Sequence, residues 1–306
     1  GFGLSTVINR CISFLNLWKR ILARLLLAAA FVSPGFHALQ GFSELCNPAL
    51  RQEACIASIH EETAGIDLES VFLPDLRTLP PHDLQLVVQS GKKVIRFSNS
   101  VWNSGPGVLE LRGKLDAEED TLQVTQHLYG RGQTQVLQDV GTFSYHAEHT
   151  HWHWEGFSSY EIWSTGPEGD LDRIVARSDK VSYCMMDTGR TGDTAWLREQ
   201  QQAGIEVPER RVYYQCLWKR QGISVGWVDT YAAHIPGQSI DITHLPNGLY
   251  ALRSTVNPQG IIIESDASNN TALTYFVLRD RYLNPVDEEQ VRYRPSFTRR
   301  FDAQQD

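Results

Sequence analysis

Short runs of β-branched and aromatic residues dominate the pattern of apolar and polar positions from Leu73 onward. Glycine, proline, asparagine and serine interrupt these runs at short intervals, which is typical of strands joined by turns. The runs predicted as strands are Leu84–Val88, Lys93–Phe97, Val108–Leu111, Leu122–Val124, Tyr160–Trp163, Arg173–Val175, Val212–Trp218, Gly248–Val256 and Thr274–Leu278. Only two brief helices are predicted, over Ala49–Ser58 and Thr194–Gln202. The pattern favours an all-β fold, an antiparallel β-sandwich with long loops and few short helices.

The first forty residues have a different pattern. Three basic residues, Lys19, Arg20 and Arg24, precede the apolar run Leu25–Val32, and a Ser-Pro-Gly break follows it. This is the order of parts in a secretory signal, and the apolar run is too short to span a bilayer. We therefore predict a cleaved leader over residues 1–40, a secreted, extracellular mature chain, and no stable membrane span once the leader is removed.

The remaining sequence divides into three segments by composition. Residues 41–72 are a mixed stretch, predicted to be an N-terminal extension, and residues 73–283 hold all of the predicted strands and are expected to form one β domain. From Asn284 onward, charged and amide side chains outnumber apolar ones, so residues 284–306 are predicted to be a mobile polar tail. The hydrophobic content of 42% is ordinary for a chain with a sizeable core.

Charge and cysteine content narrow the class of partner and the compartment. The formal net charge of −8 argues against nucleic acid as a partner, because phosphate binding requires concentrated lysine and arginine. Removal of the leader leaves Cys46, Cys55, Cys184 and Cys216, which permit two disulfides in three connectivities. We favour Cys46–Cys55 with Cys184–Cys216, and the alternative is four reduced, buried thiols. Paired cysteines agree with export.

Three histidines at alternate positions, His149, His151 and His153, give the strongest chemical signal. Side chains two residues apart share one face of an extended strand, so the three imidazoles are expected to converge. Imidazole binds copper, zinc, iron and nickel, and three nitrogens leave coordination positions open for substrate or oxygen. We predict a metal site here; the alternative is a surface strand with incidental spacing. His146 is out of phase by one residue and is interpreted as a supporting or structural side chain.

This strand and two later blocks resemble the catalytic domain of the lysyl oxidase family. The first block is His149-Thr150-His151-Trp152-His153, followed by Phe157-Ser158 and Tyr160-Glu161. The second is Lys180-Val181-Ser182-Tyr183-Cys184, followed by Asp187-Thr188. The third is Asp229-Thr230-Tyr231-Ala232-Ala233, followed by Ile240-Asp241-Ile242-Thr243, Val256-Asn257-Pro258 and Glu264-Ser265-Asp266. The blocks stand in the family's order, and the resemblance covers about Leu73 to Leu278.

The resemblance implies an amine oxidase with two cofactors. His149, His151 and His153 would hold copper, and Lys180 and Tyr231 match the pair that forms lysine tyrosylquinone in the family. Such an enzyme oxidises a primary amine or a protein lysine with dioxygen, and releases an aldehyde, hydrogen peroxide and ammonia. The alternative for Lys180 is a solvated lysine at the end of a strand. The alternative for Tyr231 is a core tyrosine whose hydroxyl is hydrogen-bonded.

Asp229 is the candidate general base. It lies two positions before Tyr231, so strand alternation puts both side chains on one face. The base would take the α-proton of the amine once that amine is bound to the cofactor. The alternative for Asp229 is a carboxylate that caps a turn.

The resemblance also implies a calcium site. The run from Glu264 to Asn270 is dense in carboxylates and amides, the hard oxygen ligands that calcium prefers. The matching ligands in this chain are Asp75, the carbonyl of Leu76, Glu264, Asp266, Asn269 and Asn270. Calcium would stabilise the domain by joining its beginning to its end. The alternative is an acidic turn between two strands.

Two departures from the animal members leave the substrate open. Glu148 stands where those members have a cysteine, and the spacing after His153 is one residue shorter. The leading interpretation remains a secreted, copper- and quinone-dependent amine oxidase. The alternatives are a non-catalytic secreted β-sandwich that binds zinc and calcium, and a cupin-like iron oxygenase that uses Glu155 and a later histidine, either His234 or His244.

Overall fold

The computed structural model describes residues 67–114, 122–137, 139–147, 150–166, 168–179 and 182–293. Several predicted features lie outside the described residues, namely the leader, the helix Ala49–Ser58, His149, Lys180, and the two cysteines Cys46 and Cys55.

Strands make up about half of the described chain. They are β1 (Val71–Phe72), β2 (Leu76–Thr78), β3 (His82–Gln89), β4 (Lys92–Asn103), β5 (Leu109–Lys114), β6 (Leu122–Gly130), β7 (Thr134–Leu137), β8 (Thr142–His146), β9 (His151–Glu155), β10 (Ser158–Thr165), β11 (Leu171–Arg177), β12 (Ser182–Tyr183), β13 (Gly189–Arg190), β14 (Gln221–Ile223), β15 (Trp227–Tyr231), β16 (Ser239–Asp241), β17 (Gly248–Val256), β18 (Thr271–Arg279) and β19 (Tyr282–Val286). A short 3-10 helix covers Leu68–Ser70, and the α-helices are α1 (Thr194–Gln202) and α2 (Glu288–Tyr293). The all-β prediction is confirmed.

The described strands form three sheets with antiparallel pairing. The first sheet has the order β12-β9-β8-β6-β5-β14, with β1 and β7 also paired to β6. The second has the order β11-β10-β17-β18-β19, and the third has the order β13-β15-β4-β16, with β2 and β3 also paired to β4. The long strand β4 pairs with β16 and β3 through its first half and with β15 and β2 through its second half. This strand therefore brings β15 into position beside the rest of the domain.

One hydrophobic cluster receives side chains from all three sheets. Phe97 of β4, Phe143 of β8 and Phe276 of β18 are fully buried members of it. In β6, buried and half-buried residues alternate strictly from Leu122 to Leu128, as expected for a strand with one face on the core. The alternation in the sequence therefore reports which face of each strand is buried.

The helix α1 has the bounds predicted from the sequence. Asp193 accepts hydrogen bonds from the backbone N–H groups of Ala195 and Trp196, at 3.0 and 2.9 Å. An aspartate at this position satisfies donors that the first turn of a helix leaves free. The cap therefore fixes where α1 begins.

The predicted strand Val212–Trp218 is wrong. A carboxylate oxygen of Asp187 accepts the backbone N–H groups of Val212 and Tyr213, at 2.9 and 3.0 Å, where a strand would have ladder partners. Among the described contacts, only an isolated bridge between Leu217 and Arg220 remains of strand character in this segment. The side chain of Asp187 therefore shapes a loop out of a strand-like sequence.

The predicted tail also begins too early. Residues beyond Asn284 continue strand β19, which pairs with β18, and then form α2. Val291 of α2 is fully buried in a small cluster with Leu249 and Tyr275. Two valines in a charged segment, Val286 and Val291, were too weak a signal to indicate this packing.

Candidate functional site

A hairpin of β8 and β9 carries the histidines. The register places His146 opposite His151 and Ser144 opposite His153. Directly opposed residues of an antiparallel pair project from the same face, so His146 joins the face of His151 and His153. The ring centroids of His146 and His153 are 4.2 Å apart. The interpretation of His146 as out of phase considered one strand only, whereas the hairpin register brings it into the cluster.

His151 and His153 present their Nε2 atoms to a common point. These atoms are 2.7 Å apart, and His153 is buried. An imidazole nitrogen lies about 2.0–2.1 Å from a bound zinc ion. Two nitrogens that are 2.7 Å apart can therefore bind the same ion. Among the described residues, no group of three histidine, cysteine, aspartate or glutamate side chains is arranged to hold a metal. The two described histidines thus fit part of a metal site.

The strand begins later than expected. Thr150 has a φ of 57°, in the left-handed region, and β9 starts at His151. The extended alternation therefore holds for His151 and His153 but ends at Thr150. Trp154, on the opposite face, is buried in the core and donates its indole N–H to the carbonyl of Val140 at 2.8 Å.

The short strand β12 connects the histidines to the second block of the sequence. Ser182 pairs with Glu155 and Tyr183 pairs with Trp154 across β12 and β9. The Ser182 hydroxyl lies 3.4 Å from Nδ1 of His153. A partner at Nδ1 orients an imidazole and leaves its Nε2 for an ion. Lys180 lies two residues before Ser182 along the chain.

Tyr231, at the end of β15, docks on the segment that follows β12. The backbone N–H of Cys184 donates to the Tyr231 hydroxyl at 2.7 Å, and the hydroxyl donates to the Cys184 carbonyl at 2.5 Å. The rings of Tyr183 and Tyr231 meet edge to face with centroids 4.6 Å apart. Burial raises the pKa of the Tyr231 phenol well above its usual value, and the nearby Asp229 acts in the same direction. The phenol is therefore fixed and neutral.

Asp229 is a buried carboxylate with few partners. It is 1% exposed, and its Oδ2 accepts one long hydrogen bond, 3.4 Å, from the backbone N–H of Met186. Its Oδ1 has no hydrogen-bond partner among the described residues. Burial raises the pKa of Asp229 well above its ordinary value, and the charge of Asp187 adds to the shift. Such a group binds a proton more strongly than an exposed aspartate does.

A disulfide joins Cys184 to Cys216, with an S–S distance of 2.06 Å. This is one of the two pairings favoured from the sequence. Cys216 accepts the backbone N–H of Trp152 through its carbonyl, at 3.1 Å. The disulfide therefore connects the residue that holds Tyr231 to the strand that carries the histidines.

The predicted calcium ligands gather around the start of β2. Asn269 donates its side-chain N–H groups to Asp75 at 2.8 Å and to Asp266 at 3.1 Å. Glu264 accepts from Asn270 at 2.7 Å and from the backbone N–H of Leu76 at 3.0 Å. The chain separation of 188 residues between Leu76 and Glu264 means that this cluster joins the two ends of the domain.

The electrostatics of this second cluster fit a cation. The amide oxygens of Asn269 and Asn270 are buried and have no hydrogen-bond partner within the described chain. Burial raises the pKa of Glu264 to about 7, although hydrogen bonds from Asn257 and Asn270 oppose the shift. Buried oxygens that lack donors are the groups that a calcium ion satisfies.

The sequence indicated a supporting or structural role for His146 and no specific role for Gln221 or Asp187. His146 is placed by a hairpin register, Gln221 by a long-range contact, and Asp187 by its bonds to Ser224 and the loop after α1. His244, considered for an iron site, contacts the carbonyl of Val175 at 3.0 Å. Of these side chains, only His146 could have been placed from the sequence, by predicting that β8 and β9 form a hairpin.

Comparisons with known proteins place the chain in a family. The model of the lysyl oxidase family matches residues 110–286. Protein-lysine 6-oxidase of Rattus norvegicus is 33% identical over 152 residues, 49% of this chain and 32% of that protein. Lysyl oxidase homolog 1 of Homo sapiens is 34% identical over 147 residues, 48% of this chain and 22% of that protein. Lysyl oxidase homolog 2B of Danio rerio is 28% identical over 183 residues, 59% of this chain and 18% of that protein.

The match therefore spans a third or less of the length of these curated relatives. No helix among the described residues has the length and hydrophobicity required to cross a membrane. The family match covers more than half of the chain and includes the histidine strand, the segment after it and Tyr231. The chain belongs to the lysyl oxidase family.

Proposed function

We propose that this chain is a copper- and quinone-dependent amine oxidase that converts primary amines, either peptidyl lysine or small alkylamines, to aldehydes. Each turnover would consume one amine, one dioxygen and one water, and would release one aldehyde, one ammonia and one hydrogen peroxide. The observation that carries the proposal is the connection through three consecutive residues. Ser182 contacts His153, Tyr183 packs on Tyr231, and Cys184 holds the Tyr231 hydroxyl.

The histidines would hold the metal. The 2.7 Å separation of the His151 and His153 Nε2 atoms suits two ligands of one ion, and His149 precedes them at the same spacing in the sequence. When bound, copper and the quinone made from Lys180 and Tyr231 would supply the electron sink for the amine and the route of electrons to dioxygen.

The protein's own contribution begins with orientation. Tyr231 makes two hydrogen bonds to one residue, Cys184, and lies edge to face against Tyr183, so its ring has little freedom. A fixed ring lowers the entropy cost of bringing reacting groups together. The buried aromatic residues Trp154, Phe157 and Tyr183 surround this region and exclude water from it.

Asp229 would accept the proton from the α-carbon of the amine. A base in this reaction must take a proton from the amine's α-carbon and later return one. The buried carboxylate of Asp229 has an unpartnered oxygen within the described structure and a raised pKa, so its proton affinity suits both steps. Asp229 lies two residues before Tyr231 on β15, so both side chains project from the same face of the strand.

The test is copper loading of the purified protein in air, followed by peptide mass spectrometry and peroxide detection with an alkylamine. The expected result is a crosslinked peptide that joins Lys180 to Tyr231, and peroxide release that Lys180→Arg abolishes, because a guanidinium stays protonated and cannot add to the ring. Lys114→Arg, at an exposed position on β5, is the matched control and should keep both signals. If both residues of the wild-type protein remain unmodified and no peroxide forms, the oxidase is ruled out and a metal-binding module remains.

We also propose that Asp75, Leu76, Glu264, Asp266, Asn269 and Asn270 form a calcium site with a structural role. The unpartnered amide oxygens of Asn269 and Asn270, beside three carboxylates, support it. Calorimetric titration should detect calcium binding, and Asn270→Ala should weaken that binding. Calcium should also raise the melting temperature of the wild-type protein. Equal melting temperatures with calcium and with a chelator would contradict the site.

Secretion is proposed from the disulfide. A cysteine pair such as Cys184–Cys216 persists in oxidising compartments and is rare in the reducing cytosol. A reporter protein fused to the first forty residues of the chain should appear in the medium. Retention of this reporter inside the cell would contradict export.

A further inference from the structure

Gln221, the first residue of β14, lies between the two halves of the candidate site. Its side chain is fully buried. Its Oε1 accepts the backbone N–H of Met185 at 3.2 Å, and its Nε2 donates to the backbone carbonyl of Trp152 at 2.8 Å. Met185 directly follows Cys184, and Trp152 lies between His151 and His153. One amide thus connects the segment that holds Tyr231 to the strand that carries the histidines.

The Gln221 amide lies where the pairing between β12 and β9 ends and the two backbones separate. The ladder between β12 and β9 pairs Ser182 with Glu155 and Tyr183 with Trp154. Two steps further in the same register, Met185 would face Trp152 directly. The two backbones separate instead, and the Gln221 side chain occupies the gap and bonds to both of them.

Cys184, the first residue past the ladder, holds Tyr231 on the side away from the gap. Successive residues of an extended segment point their N–H and carbonyl groups in opposite directions, so Met185 faces Gln221 while Cys184 faces away from it. Both backbone groups of Cys184 bond to the Tyr231 hydroxyl. The width of the gap therefore sets how far the Tyr231 hydroxyl lies from the histidine strand.

The disulfide makes a second connection across the same gap. Cys184 is bonded to Cys216, and the Cys216 carbonyl accepts the Trp152 N–H at 3.1 Å. Both backbone polar groups of Trp152 are therefore connected to residues 184–185. The N–H is connected through its hydrogen bond to Cys216 and the disulfide, and the carbonyl is connected through Gln221.

We propose that Gln221 is a positioning residue that sets the distance between the histidine strand and the Tyr231 phenol. The proposal rests on the proposed function, in which the phenol must be oxidised beside an imidazole-held ion. Gln221 itself touches neither the histidine rings nor the Tyr231 ring in the contacts described above, and acts through Met185 and Trp152.

The informative change is Gln221→Leu, which keeps the approximate size and removes both hydrogen bonds. The Met185 N–H and the Trp152 carbonyl then lose their partner, and the shortest way to satisfy them is to pair directly and close the gap. Closure would move Cys184, and with it the Tyr231 hydroxyl that Cys184 holds, relative to the histidine strand.

Gln126 provides the matched control. It is also a fully buried glutamine, and it makes the same pair of bonds to one backbone, with Oε1 accepting from Ile263 N–H at 2.9 Å and Nε2 donating to the Ile263 carbonyl at 2.8 Å. Gln126→Leu therefore removes equivalent bonds from the same sheet, and it should lower the melting temperature without moving Tyr231.

The experiment uses protein in which Tyr231 is replaced by 3-fluorotyrosine for fluorine NMR without metal, and ordinary protein for the rate of quinone formation at saturating copper. Gln221→Leu should shift the fluorine resonance and slow quinone formation by about 10- to 100-fold, as small displacements of reacting groups do. Gln126→Leu should leave both at wild-type values. An unmoved resonance and an unchanged rate in a folded Gln221→Leu protein would overturn the proposal.

Two further outcomes are separable. If the wild-type protein forms no quinone, the oxidase proposal fails, while the metal-free fluorine comparison still decides the role of Gln221. If Gln221→Leu does not fold, Gln221→Glu replaces it, because a carboxylate still accepts from Met185 but cannot donate to Trp152. A fluorine shift in this variant supports the proposal, and a wild-type resonance overturns it.

Discussion

Asp229 and Glu110 are both buried carboxylates, 1% and 3% exposed, yet the protein treats them in opposite ways. Glu110 on β5 accepts hydrogen bonds from the hydroxyls of Tyr129 and Tyr213, at 2.5 and 2.7 Å, and from Arg112 at 2.7 Å. Asp229 on β15 accepts only the 3.4 Å bond from Met186 among the described contacts. The two sites differ in the number of donors and not in depth.

The pKa shifts follow the donors. Burial raises the pKa of Glu110, but hydrogen bonds from Tyr129, Tyr213 and Arg112 outweigh that effect and bring its pKa below the ordinary value. Burial raises the pKa of Asp229 with little to oppose it. A satisfied carboxylate is a structural ion, whereas an unsatisfied one keeps a strong affinity for a proton. The comparison shows why Asp229 is the better candidate for a base.

The largest expected effect is on turnover in Asp229→Asn. Loss of a general base lowers the rate by about 10²- to 10⁴-fold, and we expect kcat for an alkylamine to fall in this range. Steady-state peroxide release at saturating amine, normalised to quinone content, measures it. A normalised kcat close to wild type would remove Asp229 from the mechanism.

The same variant should be more stable at neutral pH. The folded pKa of Asp229 is raised above the unfolded value of about 3.9, so its contribution to stability is full below that pH and is lost as pH rises through the folded pKa. Asparagine does not ionise, so the melting temperature of Asp229→Asn relative to wild type should increase between pH 4 and pH 8. A constant difference across this range would contradict the raised pKa.

Glu110→Ala should reduce stability and leave the chemistry intact. We expect a loss of about 2–3 kcal/mol in the free energy of unfolding, because three donors lose a charged acceptor. The folded pKa of Glu110 is lowered, so its stabilisation is present above about pH 4.3 and is lost as pH falls through the folded pKa. Urea unfolding at pH 7 and pH 4 measures both. Peroxide release per folded molecule should match wild type, and a large loss would tie Glu110 to the active site.

Tyr129→Phe should have a smaller effect on the same cluster. One hydrogen bond to Glu110 is lost, which costs about 1 kcal/mol of stability, and the pKa of Glu110 should rise. The cluster raises the pKa of Tyr129 itself to about 12, with burial as the main cause. Tyr145→Phe is the control, because Tyr145 is an exposed tyrosine. Equal unfolding free energies for the two variants would mean that Tyr129 does not support Glu110.

The smallest effect is expected for an exposed carboxylate, Asp241. Hydrogen bonds from Thr243 lower its pKa, and Lys92 contributes through a 3.0 Å ion pair. Exposed ion pairs contribute little to stability because solvent screens them. Lys92→Ala should leave the melting temperature unchanged within error, in low salt as well as in high salt. A clear drop in melting temperature in low salt would show that a shifted pKa predicts stability even at an exposed site. That result would contradict the conclusion, drawn from Asp229 and Glu110, that burial and hydrogen-bond donors matter.

Much of the strand content could be predicted because alternation is a local property. The strand that begins at Leu122 and the helix Thr194–Gln202 were predicted from a few consecutive residues, and the structure has β6 and α1 beginning there. The loop after α1 could not be predicted, because Asp187 supplies its hydrogen bonds from 25 residues away. The end of β19 and helix α2 were missed because only two apolar residues of this charged segment, Val286 and Val291, pack on the cluster.

For the candidate site, the residue types were readable and their mutual arrangement was not. The alternation of His151 with His153 and of Asp229 with Tyr231 predicts which side chains share a face. The place of His146 depends on the register of β8 against β9, and that of Gln221 depends on a split between β9 and β12.

The sequence by itself determined the all-β class and the family, and it indicated the candidate reactive side chains. Only the tertiary structure decided which buried carboxylate is satisfied, since one of the three donors that offset the burial of Glu110, the Tyr213 hydroxyl, comes from 103 residues away. Local periodicity fixes the face on which a residue lies. The partners that it meets there are set by chain segments brought together in folding, and those partners control its charge, its pKa and its chemistry.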